Sequence, residues 1–333
     1  MFKMRILLIF YFSILFISCK TVSKSKFISG YNLGTNYKIK HDSPIDNDSV
    51  KIGVDSIFIK INQSMSTYQI DSDISKINDG YRIKVDSFFK EVYFKSYEVW
   101  RLTNGAFDPT VGSLVDAYGF GPNKKTPKIL SENQLDSLLK ITGFDKIYLN
   151  EDGVLIKKNK GIVLDFNAIA KGYTVDLISR YLESVGSLNY LVEIGGEISA
   201  KGLSPKSNKP WKIGIDFPQS NQNKRIIYDT YFLYNKSMAT SGNYRHVRII
   251  ESTGKKYVHT VDPRTGNSIE SNILSVSVIA DDCMTADAWA TSLMVLSFDE
   301  GKEIIENDKT LEAFWILSNE KELKSVYSSG WIQ

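Results

Sequence analysis

Residues 162–202 read IVLDFNAIAKGYTVDLISRYLESVGSLNYLVEIGGEISAKG. The run predicts an apolar strand over Ile162 to Leu164, a polar turn opening at Asp165, and a helix from about Tyr173 to Val185. A second strand follows, Tyr190 to Ile194, ending in Gly195-Gly196-Glu197. An acidic residue at a strand end, then small residues, then a helix N-terminus is a place where chains hold anionic ligands or metal ions. The same pattern fits an ordinary packing unit in which Asp165 only caps the turn.

Working outward, the chain has 333 residues of which 42% are hydrophobic, enough to bury a full core in one large domain or two closely joined ones. Residues 1–18 differ from the rest. Lys3 and Arg5 precede an almost wholly apolar run, Ile6 to Ile17, that is too short to span a bilayer, which takes roughly 20 residues. This reads as a cleaved export signal. Its ending, Phe16-Ile17-Ser18-Cys19, resembles the lipobox of bacterial lipoproteins, which makes Cys19 the expected lipidated N-terminus. Residues 19–30 then read as a tether and 31–333 as the folded domain. The expected location is outside the cytoplasm, facing the periplasm and anchored to the membrane through Cys19.

Removing the signal takes two basic and no acidic side chains from totals of 41 and 38, which leaves the mature chain close to charge balance. Nucleic-acid binders carry a clustered basic surface, and none is evident, so DNA and RNA are discounted as partners. With Cys19 lipidated, Cys283 has no disulfide partner and reads as a small buried filler.

Before the central run, YNLGTNYKIK predicts a strand from Tyr31 with a tight turn at Gly34. Helices are expected over about Ser49 to Gln63, about Ile74 to Ile77 behind a Ser72 cap, and Ser87 to Thr103 with Gly105 past its end. Tyr68 lies between two polar elements, as packing or as a stacking surface. Residues 105–122, GAFDPTVGSLVDAYGFGP, read as a Gly- and Pro-rich loop able to approach a flat ligand, or as a surface loop over an aromatic cluster. A helix over Ser131 to Thr142 and a hairpin turning at Asp152-Gly153 complete this half.

Beyond it, PWKIGIDFP and RIIYDTYFLYN predict strands. The segment SMATSGNYRHV, residues 237–247, has small hydroxyl residues around Gly242, good backbone donors for phosphate. DPRTG, residues 262–266, is a turn by its own chemistry, with His259, one of only three histidines, just before it. In residues 275–296, a strand of strict alternation (Val276, Val278, Ala280) gives way to a helix from about Met284. Asp287 and Thr291 then share one helix face. Any metal there would be held by oxygen, which favours magnesium or calcium.

These pieces, in this order, resemble the ApbE family of FAD:protein FMN transferases, which are magnesium-dependent and often exported lipoproteins. The matching runs are STY at 66–68, residues 105–122, LDFNAIAKGY at 164–173, Gly195-Gly196-Glu197, TSGNYR at 240–245, HTVDPRTG at 259–266 and TADAWATSLMVL at 285–296. The resemblance implies FAD contacts at Tyr68, Ala106, Phe107, Asp108, Asp165, Lys171 and Val261. It implies magnesium at Asp287, Thr291 and the carbonyl of Ala168. Two departures are Leu33, where the family often has methionine, and Ala290, where some members carry a second acid.

The implied reaction is attack by a threonine or serine hydroxyl of an acceptor protein on the FMN-side phosphorus of FAD, with AMP leaving. His259 is the expected base, and Asp262 either orients its imidazole or builds the turn. No fused acceptor domain is visible, so the expected acceptor is a separate flavoprotein, a subunit of a membrane redox complex. Two other readings are a periplasmic FAD pyrophosphatase and a flavin-binding lipoprotein without turnover. The expected fold is α+β, with mixed, largely antiparallel sheets, packed helices and an FAD cleft between two subregions.

Overall fold

The computed structural model describes residues 25–122, 129–218, 226–243, 247–249, 256–269, 271–319 and 322–331. The export signal and Cys19 lie outside the described residues.

The chain opens with a hairpin, β1 (Lys26–Asn32) and β2 (Thr35–His41). Leu33 and Gly34 at its turn have φ of 49° and 73°, the left-handed pair that a tight hairpin favours. β1 starts at Lys26 rather than Tyr31, because Ile28 is buried and the register runs unbroken from Lys26 opposite His41. Residues 26–30, expected in the tether, are therefore the edge of the sheet.

Three helices follow: α1 (Asn47–Met65), α2 (Asp73–Asn78) and α3 (Ser87–Leu102), N-capped by Asp46, Ser72 and Asp86. Val50, Val54, Phe58, Ile61 and Met65 make the buried stripe of α1, at spacings of three and four. The run 105–122 is not wholly loop, since Gly112–Ala117 forms a short helix, α4. α5 (Glu132–Lys140) carries a capping box of Ser131 and Gln134, and a small hairpin of β3 (Ile147–Leu149) and β4 (Leu155–Lys157) comes next.

The central run gives α6 (Ala170–Ser184), β5 (Tyr190–Ile194) and β6 (Glu197–Lys201). Ile162 and Leu164 are buried and Val163 half-buried, but the run is not a strand. Leu164 exchanges its backbone bonds with the side chain of Asn78, at 2.8 and 2.9 Å, and Val163 makes a single parallel bridge to Val111. A side-chain amide has taken the place of a neighbouring strand.

The remaining elements are β7 (Trp211–Asp216), β8 (Ile227–Leu233), β9 (Lys236–Gly242), β10 (Val247–Ile249), β11 (Lys256–Val258), β12 (Ile273–Ala280), α7 (Cys283–Val295), α8 (Phe298–Asn307), β13 (Glu312–Ser318) and β14 (Leu323–Tyr327). Residues 237–242, expected to offer backbone donors to phosphate, are a strand paired with β12 from end to end. The alternation expected in β12 is observed, with Val276, Val278 and Ala280 packed in one core, and the opposite face is covered too, by the core that holds Ile279.

One eight-stranded antiparallel sheet, ordered β1-β2-β5-β6-β9-β12-β13-β14, spans the molecule. The α+β, largely antiparallel class expected from the sequence is the one observed. The β6–β9 ladder holds only three pairs, Ile198–Met238 to Ala200–Lys236. Glu197, just before the first pair, therefore stands where these two strands stop pairing.

Candidate active site

The site is built where α6 meets α7. Asp282 caps α7 through the amide of Thr285, at 2.7 Å. Asp176, reaching across from α6, accepts from the amides of Cys283 and Met284, both at 2.8 Å. Two carboxylates thus satisfy the first-turn donors of α7. Burial pushes the Asp176 carboxyl up to about 7 against the pull of those amides. Cys283 is free and buried, as its reading as a core filler requires.

Gly172 lets the two helices touch. A Cβ there would stand 2.3 Å from the carbonyl oxygen of Cys283 and 2.8 Å from Cβ of Asp287. The Gly172 amide donates to Asp287 Oδ2 at 2.9 Å. In a regular helical turn that amide would bond to the carbonyl of Ala168, and here it does not. The Ala168 carbonyl, two residues before the helix begins, is left without that bond.

Asp287 is 2% exposed and Glu197 3% exposed. Between them lies the ammonium of Lys171, 2.7 Å from Glu197 Oε1 and 3.8 Å from Asp287 Oδ1. Burial opposes the Lys171 charge, but the carboxylates of Asp287 and Glu197 more than offset it and hold the ammonium above its ordinary range. Burial raises the Asp287 carboxyl, with Lys171 opposing and Glu197 adding to the rise.

One turn along α7, the hydroxyl of Thr291 lies 3.4 Å from that of Ser241 on β9. Thr240 on the same strand bonds to Ser277 at 2.8 Å. Thr260 donates to Asn243 at 2.8 Å, which ties the His259 segment to the end of β9. The imidazole of His259 packs edge-on to Phe120, with centroids 6.3 Å apart. Asp262 takes part in the turn. Its Oδ1 accepts from the amide and Nε of Arg264, both at 2.9 Å, and its Oδ2 from Nη2 at 2.9 Å.

The run 105–122 packs against the same turn. Tyr118 donates to the Gly266 carbonyl at 2.9 Å, and Leu114, Tyr118 and Val261 form one small core. Ala106, Phe107 and Asp108 are buried. Asp108 accepts from the amide and hydroxyl of Thr110 (2.8 and 2.6 Å) and the amide of Phe144 (2.8 Å), and burial pushes its carboxyl up to about 6. Its oxygens hold the loop in place from beneath.

Asp165 is tied to this loop by its amide, which donates to the Pro109 carbonyl at 2.8 Å. Its side chain accepts from the Asn167 amide, and burial raises its carboxyl. Tyr68 is 65% exposed and close enough to Asp165 and Asp116 that, after burial, their charges raise its phenol further.

The structure therefore brings Lys171 and Asp287 together, Thr291 onto the same helix, Val261 with the 105–122 loop, and Tyr68 near Asp165. Sequence reasoning missed Glu197 as a partner of Lys171 and Gly172 as the contact point between helices. A glycine directly after the lysine at a helix start was the available signal for the second. For Glu197 the signal was an acid placed straight after a Gly-Gly turn.

A mixed α+β chain with this arrangement matches solved flavin transferases. The flavin transferase ApbE from Vibrio cholerae superposes with a TM-score of 0.83 at 33% identity, covering 92% of this chain and 98% of that one. The apo flavinyl transferase ApbE of Pseudomonas stutzeri gives 0.81 at 29% identity, covering 92% and 95%. In sequence, the FAD:protein FMN transferase of Haemophilus influenzae is 34% identical over 325 residues, 94% of this chain and 92% of its own length. The ApbE family pattern matches residues 33–315, and the chain belongs to the ApbE family.

Proposed function

We propose that this protein transfers the FMN part of FAD to a threonine or serine hydroxyl of an acceptor flavoprotein, forming a phosphoester and releasing AMP. The relatives named FAD:protein FMN transferase, similar along nearly the whole chain, support that reaction. The observation that carries it within the site is the buried Asp287 beside Lys171.

The residues fit a magnesium ion. Among the described residues no cluster of three or more histidine, cysteine or acidic side chains could hold a metal. One carboxylate (Asp287), one hydroxyl (Thr291) and one carbonyl (Ala168) make the sparse, oxygen-only set that magnesium takes when phosphates and water complete its shell. Such an ion would offset phosphate charge and stabilise the departing AMP.

The chain's own groups do the rest. Lys171 places a fixed positive charge for the pyrophosphate, and Tyr68 offers an exposed ring for a flat base to stack on. His259 takes the proton of the attacking hydroxyl, a role in which an imidazole is worth about a hundred- to ten-thousand-fold. The new bond joins the acceptor oxygen to the FMN phosphorus, and the bond broken is that phosphorus to the oxygen leaving with AMP.

The acceptor is a separate protein, a flavin-carrying subunit of a membrane redox complex. The enzyme itself is exported and held at the membrane through lipidated Cys19, which the lipobox-like ending of residues 16–19 supports. Incubation with FAD and magnesium, with and without acceptor, tests the reaction through flavin fluorescence retained on denatured protein. His259→Ala is expected to cut transfer by about a hundredfold or more while FAD affinity stays within about twofold. A normal rate in that variant would remove His259 as the base.

A further inference from the structure

We propose that Glu197 is a positioning residue that draws the ammonium of Lys171 away from Asp287 and so keeps Asp287 Oδ1 open for a divalent cation. The inference rests on the metal-site reading above and deepens it.

Lys171 Nζ lies between two buried carboxylates but does not share itself equally. At 2.7 Å from Glu197 Oε1 it makes a charge-assisted hydrogen bond, and at 3.8 Å from Asp287 Oδ1 it makes none. Asp287 has only two oxygens, and Oδ2 already accepts the Gly172 amide. Were the ammonium to close the remaining gap, it would bond to Oδ1 as well, and a cation would have to compete with the Lys171 charge for that oxygen.

Glu197 is built to hold its position. It is the first residue of β6, delivered by Gly195 and Gly196 with φ of 67° and 117°, where the β6–β9 ladder stops. The wall beside it has no slack, since a Cβ at Gly195 would fall 2.8 Å from Thr35 Cγ2 and 3.3 Å from Glu197 Oε2. Glu197 Oε2 is buried and accepts no hydrogen bond among the described residues. Lys171 is its counter-charge, and an ionised carboxylate left otherwise unpaired in the interior holds such a partner firmly. Outer groups of this kind, touching a residue beside the metal site rather than the ion, commonly set affinity by tenfold to a hundredfold.

The test uses the full chain without flavin and Mn2+ alone as the probe, with free Mn2+ counted by electron paramagnetic resonance and folding checked by circular dichroism. Glu197→Gln removes the charge at constant shape. Glu197→Asp keeps the charge but withdraws it from Lys171, and carries the test if the glutamine variant does not fold. Both are expected to weaken Mn2+ binding about tenfold or more. Glu197→Asp at wild-type affinity would overturn the inference, because charge alone would then suffice, and both variants at wild-type affinity would overturn it too. A wild-type chain that binds no Mn2+ overturns the metal site itself, and Mn2+ binding that is present in wild type and lost in Asp287→Ala upholds that site whatever Glu197 does.

Discussion

Asp176 shows how much one side chain can couple stability to pH. Its carboxyl is raised from 3.8 to about 7 by burial, so the folded chain binds this proton more tightly than the unfolded chain does. A raised carboxyl contributes stability that is fully present below about pH 4 and is lost as pH rises through about 7. About three pKa units correspond to about 4 kcal/mol across that window. Denaturant unfolding from pH 4 to 8 is expected to show wild-type stability falling relative to Asp176→Asn by an amount of that order. A wild-type-minus-variant difference that does not change with pH would contradict it. Asp287 and Thr291 were legible in the sequence because helical periodicity alone puts residues four apart on one face. Glu197 was not, because its partner Lys171 is far away in sequence and only the sheet brings them together.

At the scale of elements, the contact between α6 and α7 decides the site's shape. Gly172→Ala sets two effects against each other. Alanine favours an exposed helix by up to about 1 kcal/mol. The added Cβ would meet the Cys283 carbonyl and Asp287 Cβ at distances no real contact shows, and overpacking of that kind costs about 1–3 kcal/mol. The expected outcome is a net loss of stability in denaturant unfolding, and a stabilised variant would show that the helices can part freely. Asn78 gives a second case. It replaces a strand neighbour for Leu164, so Asn78→Ala strands a buried amide and carbonyl and is expected to cost about 1–3 kcal/mol. A loss under about 0.5 kcal/mol would mean that water or another group takes over both bonds. That substitution of side chain for strand is also why Ile162 to Leu164 reads as a strand: its apolar run satisfies the pattern, and nothing local says that the partner is an asparagine from α2.

Across the whole molecule, the fold was readable wherever local chemistry was decisive, as in the capped helices and the Leu33-Gly34 turn. It was unreadable where tertiary cover overrides pattern. β9 carries a loop-like composition yet pairs fully with β12, because small hydroxyl side chains suit the crowded contact with α7: Ser241 meets Thr291 there. β12 keeps Val276, Val278 and Ala280 on one core, and its other face, which the pattern left polar, is covered by the β7–β8 core. The sheet thus carries Glu197 on β6 and Ser241 on β9, and the helices set Lys171 and Asp287 between them. FMN transfer onto another protein is the reaction for which the relatives are named. Its most direct test is the intact mass of a flavin-carrying acceptor subunit after incubation with the enzyme, FAD and magnesium. The expected result is a gain equal to one FMN on a threonine or serine, absent with Asp287→Ala. An unchanged acceptor mass with free FMN and AMP in solution would contradict the transfer and leave a hydrolase in its place.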